Sequence, residues 1–90
     1  LRLETSQLML YKLAWMKETG QSAMMEAALA NLQISESFVA SSIDAMRIHG
    51  ARGYVSSYGV EQDVRDALGG VIYSGTSDIQ RNIVARMLDL

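Results

Sequence analysis

The 90-residue sequence is 49% apolar and contains neither proline nor cysteine, a profile that fits one compact helical domain and excludes disulfides and thiolate metal sites. Its ten acidic and eight basic side chains, net charge -2, are scattered along the chain, so it carries no electrostatic footprint for DNA or RNA. No apolar run approaches the ~20 residues that span a bilayer, and Leu1-Arg2-Leu3-Glu4 lacks the charge order of a signal peptide, which points to the bacterial cytoplasm or an organelle matrix.

From Leu1 to about Thr19 the residues are good helix formers, with Leu8, Tyr11 and Trp15 at helical spacing and Leu10, Leu13 and Ala14 widening the apolar stripe. This helix is expected to face neighbours on more than one side. Gly20 stands where a left-handed cap ends a helix, and Ser22 is the expected N-cap of the next, with Glu26 in its first turn. So short a break predicts antiparallel helices. The second helix is predicted over residues 23–49, with Met25, Leu29, Leu32, Val39, Ile43 and Met46 on one face. At 1.5 Å per residue it is roughly 40 Å long, more than a chain of this size can cover unless it runs along a bundle or a subunit interface. Small residues from Ala27 to Ala45 let another backbone approach it, although plain core packing explains any one of them equally well.

Gly50 to Tyr54 then breaks the helix, and Ser56 to Gly59 continues as a loop. A short helix from about Val60 to Leu68 is expected to end at Gly69-Gly70. Val71-Ile72-Tyr73 reads as a buried turn or helix end, and Ser77-Asp78-Ile79-Gln80 as a capping box before a last helix in which Ile79, Ile83 and Met87 keep helical spacing. The predicted fold is all-α, an up-and-down bundle of two long and two short helices, occupying residues 1–90 as one domain. A domain this small buries only about 60–65% of the surface of its unfolded chain. Partner chains, a cofactor or a larger parent protein are therefore expected to support it, and the absence of an initiator Met suits a piece of a longer protein.

Chemistry is concentrated in two glycine-containing breaks, Arg47-Ile48-His49-Gly50-Ala51-Arg52-Gly53-Tyr54 and Tyr73-Ser74-Gly75-Thr76-Ser77-Asp78-Ile79-Gln80-Arg81. In the second, glycine permits close backbone approach, Thr76 and Ser77 supply hydroxyls, and the opening of a helix presents N–H groups that suit an anion or a cofactor oxygen. Local physics alone favours an ordinary capped turn there. The wording of the sequence adds to it. These two strings, with Val60-Glu61, Arg65-Asp66-Ala67 and Ala85-Arg86 between and after them, resemble the C-terminal domain of the acyl-CoA dehydrogenases, whose patterns are close to Q-I-x-G-G-x-G-Y, V-E-R-x-x-R-D-A and I-Y-E-G-T-S-E-I-Q-R. The resemblance covers nearly the whole chain.

It implies a helical bundle packed against an N-terminal helical domain and a middle β-domain of the same protein, in a homodimer or tetramer built on this domain. It also implies FAD as cofactor, an acyl-CoA or acyl-carrier-protein thioester oxidised at its α,β bond, and an electron-transfer flavoprotein among the partners. By the same resemblance the first break touches the FAD diphosphate of a neighbouring subunit, through Arg47, where the family has Gln, Gly50 and Ala51, which replaces the second Gly. Thr76 and Asp78 fall at cofactor-contact positions, Thr76 the better placed because an acidic Asp78 repels phosphate. Tyr73, Ser74 and Gly75 fall on the acyl pocket. His49 is expected to pack or cap, and Arg65 and Asp66 to be structural.

Ser74 stands where the commonest family members carry the catalytic Glu. An unassisted hydroxyl cannot take an α-proton, and no Lys or second His nearby in sequence activates it as a nucleophile. This domain is therefore assigned no catalytic residue and no metal. Three explanations remain open, in this order: a base relocated to a helix upstream of Leu1, altered chemistry or a carrier-bound substrate, and a non-catalytic paralogue. A reading from another class, a helical dimerisation module that binds no cofactor, fits composition and periodicity equally well.

Overall fold

In the computed structural model, which describes residues 1–73 and 75–90, the chain is all-helical. Helices α1 (Arg2–Glu18), α2 (Met24–His49), α3 (Ala51–Tyr54), α4 (Val60–Gly70) and α5 (Ser77–Met87) are joined by short turns, with a 3₁₀ turn over Ser56–Tyr58. The two long and two short helices stand as expected. The first break and the loop after it are more regular than predicted, since both wind into single helical turns.

Helix α1 ends in a Schellman motif, in which the Gly20 N–H donates to the Lys17 carbonyl and the Gln21 N–H to the Met16 carbonyl. The Thr19 hydroxyl adds bonds to the carbonyls of Trp15 and Met16. Ser22 does not cap α2. Its N-cap is Ala23, without a side-chain bond, because the glycine turn delivers the chain one residue further along than the Ser signal suggests.

Helix α2 is the spine. Helices α1, α3, α4 and α5 pack on it, and among the described residues α1, α4 and α5 make no close backbone approach to one another. Met25, Leu29, Leu32, Val39, Ile43 and Met46 are all half-buried, while Ala28, Ala30 and Ser42 are buried where another helix comes close. Helix α1 runs antiparallel along α2, held at one end by Arg2–Asp44 at 2.7 Å. Nearer its middle, Gln33 Nε2 donates to Ser37 Oγ and Thr5 Oγ1. The stripe that α1 turns inward is Thr5, Met9, Leu13 and Met16. Leu8, Tyr11 and Trp15 are instead 57–64% exposed, on a stripe of α1 turned away from α2.

The accessible surface is 6495 Å², against about 5200 Å² expected for an independent protein of 9.9 kDa. The radius of gyration is 15.5 Å, where about 12 Å is usual for a domain of this length. No large side chain among the described residues is fully buried. The long axis of 46 Å is essentially α2, which the other helices cover only in part.

Candidate functional site

The first break is built at the C-terminal end of α2. Arg47 is exposed in its last turn and forms no ion pair among the described residues. Its charge is felt at Asp44, whose carboxyl lies below the usual carboxylate range mainly through the hydrogen bond from Arg2, with the charges of Arg2 and Arg47 adding to it against partial desolvation. His49 Nδ1 lies 2.8 Å from the Ala45 carbonyl oxygen. A carbonyl can only accept, so Nδ1 carries the proton and the ring caps the helix end. Gly50 has φ +62, and nothing lies within 4 Å of where its Cβ would be. Its backbone is bare. Ala51 and Arg52 are exposed, and Gly53 is buried so tightly that a Cβ would stand 2.5 Å from the Met46 carbonyl oxygen. That contact folds α3 back onto the last turns of α2.

The second break joins α4 to α5. Helix α4 does not stop before Gly69-Gly70 but runs through both. A Cβ at Gly69 would stand 3.1 Å from the Tyr73 ring, so the bare last turn of α4 makes a shelf on which that ring lies. Tyr73 borders an apolar hollow of about 500 Å³ between α1 and α2, with Leu13, Ala30, Ile34, Phe38 and Gly70 on its walls. Gly75 has φ +99, and a Cβ there would meet the Gln80 amide nitrogen at 2.7 Å. Ser74, the expected position of the family's base, lies outside the described residues.

The capping box is displaced by one residue. Thr76 is the N-cap, its Oγ1 accepting from the Ile79 N–H, which leaves the Ser77 hydroxyl to donate to Glu36 Oε1 on α2 at 2.6 Å. Gln80, assigned a reciprocal capping role from sequence, is instead buried. Asp78 is paired on the outer side with Arg81 at 3.3 Å, which offsets part of its repulsion toward a phosphate.

These positions form two groups, not one. Glu36, under the second break, and Arg47, at the first, are eleven residues apart on α2, about 17 Å along the helix. Tyr73, Gly75, Thr76 and Asp78 come together; Arg47, Gly50 and Ala51 form the other cluster. Sequence reasoning missed Glu36, Gln80 and the Gly69-Gly70 shelf. The signal for Glu36 was a lone carboxylate among the serines of α2, because its partner Ser77 lies 41 residues away; the Gly69–Tyr73 contact is local but shows only once the path of the turn is known. A second hollow, of about 530 Å³, lined by Met46, Tyr54, Glu61 and Arg65 among others, holds none of the expected site residues. It is packing space between α2, α3 and α4.

The donor set at the first break suits a diphosphate: an uncommitted guanidinium beside bare backbone. At the second, Thr76 Oγ1 is committed to the cap as acceptor but keeps its proton to donate. Among the described residues no cluster of metal-ligating side chains occurs, and no helix is long and apolar enough to cross a membrane.

The all-helical architecture and the paired glycine breaks define a helical domain with an irregular, glycine-containing turn at each of two helix ends. Residues 1–88 match the family model described as acyl-CoA dehydrogenase, C-terminal domain. The chain is 48% identical over 90 residues to the L-prolyl-(peptidyl-carrier protein) dehydrogenase of Pseudomonas fluorescens, covering all of this chain and 24% of that one. It superimposes on the crystal structure of the prolyl acyl carrier protein oxidase AnaB with a TM-score of 0.98 at 51% identity, covering 100% of this chain and 24% of AnaB. The structure of PigA with FAD and proline matches with a TM-score of 0.96 at 39% identity, over 100% and 24% of the two chains. The chain belongs to the acyl-CoA dehydrogenase family, as its C-terminal helical domain, and spans about a quarter of the length of these relatives.

Proposed function

We propose that this domain is part of a longer FAD-dependent dehydrogenase that oxidises the α,β bond of an acyl thioester, and that the thioester is carried on a carrier protein and bears a prolyl-like group. The similarity to a prolyl carrier-protein dehydrogenase and to AnaB supports the choice of substrate. The observation that carries the reading is the division of the site along α2. A cationic, bare-backbone end suits cofactor phosphates, and an aromatic, hydroxyl-bearing turn about 17 Å away suits an acyl group. A single extended cofactor, reached by the first end from a neighbouring subunit, is compatible with both.

FAD, when bound, supplies the hydride acceptor. The chain's own residues bind and orient: Arg47 donates to the diphosphate, Gly50 allows the backbone to approach, with Ala51 narrowing that approach by a methyl group. Thr76 donates from the cap of α5, with Asp78 beside it, and Tyr73 walls the acyl group, with Gly75 letting the turn pass close by. With Ser74 in place of a carboxylate, the α-proton goes to a carboxylate on a helix upstream of Leu1. The remaining partners in this reading are the protein's own N-terminal and middle domains, a second copy of the chain and an electron-transfer flavoprotein. Its compartment is the bacterial cytoplasm or, in a eukaryote, the mitochondrial matrix.

The test uses the full-length protein. Purified, it should show a flavin absorbance spectrum that prolyl-carrier thioester bleaches, and one upstream Glu or Asp substitution should abolish the bleaching. Bleaching that survives every upstream carboxylate substitution sinks the relocated base. A colourless protein that still self-associates returns the domain to the interaction-module reading.

A further inference from the structure

The turn that carries Tyr73 lies against α2, near Ser35 at its α4 end and hydrogen-bonded to Glu36 at its α5 end. At the α4 end, the Gly70 backbone lies close to Ser35, such that a Cβ there would stand 4.0 Å from the Ser35 Cβ. At the α5 end, Ser77 Oγ donates to Glu36 Oε1 at 2.6 Å, across 41 residues of sequence. The bond is short and charge-assisted, a class roughly twice as strong as a neutral one. The carboxylate also faces the first turn of α5, where the helix dipole favours negative charge.

From this juxtaposition we infer that Glu36 is a positioning residue: through Ser77 it sets where the start of α5 and the Tyr73 ring stand relative to the acyl group. The inference rests on the assignment of this turn to the acyl site made above. Glu36 acts on geometry and takes no proton. Its near oxygen is committed to Ser77, and an amide oxygen in the same place would accept the same bond.

The experiment compares Glu36→Ala, Glu36→Gln, Ser77→Ala and the Glu36→Ala/Ser77→Ala double variant in the full-length flavoprotein. Steady-state oxidation of prolyl-carrier thioester is measured beside flavin content and amide hydrogen exchange in the first turn of α5. Glu36→Ala should lower kcat/KM by about 10- to 100-fold, the scale of a misplacement near 1 Å, with flavin content unchanged. Glu36→Gln should recover activity to within about 5-fold of the parent, a neutral bond replacing a charged one. The double variant should be no worse than the worse single one, since both remove the same clasp. Glu36→Gln as damaging as Glu36→Ala would make the charge or a proton transfer essential and overturn the inference, as would additive single effects. Exchange separates this from the functional reading. Faster exchange at Ile79 and Gln80 in both single variants, not increased in the double, supports the clasp even in a protein that oxidises no thioester. Unchanged exchange overturns it whatever the activity.

Discussion

The two glycine breaks of this domain use the same residue for opposite ends. At the end of α2, Gly50 stands in open space with Arg47 and Arg52 exposed around it. At the start of α5, Gly75 is pressed against Gln80, Thr76 closes the first turn and Ser77 reaches α2. One break is unfinished and the other is internally braced. A bare surface is open to completion from outside the domain, whereas a turn fixed by the domain's own bonds keeps its side chains in one place whatever lies against it.

Glycine substitutions probe that contrast most strongly. Gly53→Ala sets a Cβ against the Met46 carbonyl oxygen, a backbone atom that cannot step aside, and should destabilise the domain by about 3 kcal/mol, the upper end of overpacking costs. Gly75→Ala meets only the flexible tip of Gln80 but is also strained at φ +99, so its cost should be smaller, about 1–3 kcal/mol. Thermal unfolding of the two variants side by side measures the difference. Equal losses would mean that strain at Gly75 costs as much as a Cβ set against the Met46 backbone at Gly53.

Thr76→Ala comes next. It removes the acceptor for the Ile79 N–H and should cost about 1 kcal/mol, with Thr76→Ser close to neutral. A Ser77→Ala variant that lost helix stability in the same way while Thr76→Ala did not would restore Ser77 as the cap. Smallest is the effect of Asp44 at the far end of α2. Its carboxyl is held below the ordinary range in the folded chain, chiefly by the Arg2 hydrogen bond. Its contribution is therefore complete above the ordinary carboxylate range and is lost as pH falls through the lowered value. Asp44→Asn should remove a small part of the acid dependence of stability and leave the second break untouched. The pair is half exposed, which keeps the effect minor.

How much of this was legible in the sequence follows from the range of each interaction. The helices, the Gly20 cap and the two breaks are local and could be read directly. The capping box was misread by one residue because Ser77 and Gln80 satisfy the local pattern, and nothing nearby reveals that Ser77 reaches α2 or that Gln80 is buried. Leu8, Tyr11 and Trp15 have helical spacing as good as that of Met9, Leu13 and Met16. Periodicity finds a stripe but cannot say which of two stripes the neighbouring helix accepts. The family's motifs carried the assignment of the breaks, and Ser74, where the pattern fails, was visible for the same reason.

Because α1, α4 and α5 lean on α2 and not on one another, each can come away without undoing its sisters. Helix α5 is tethered across 41 residues of sequence, through Ser77 to Glu36. In the sense of local unfolding, its release from α2 leaves the packing of α1 and α4 on that helix intact. The turn bearing Tyr73 would loosen with it as one unit. Order at the second break is thus set by how firmly a single eleven-residue helix stays docked.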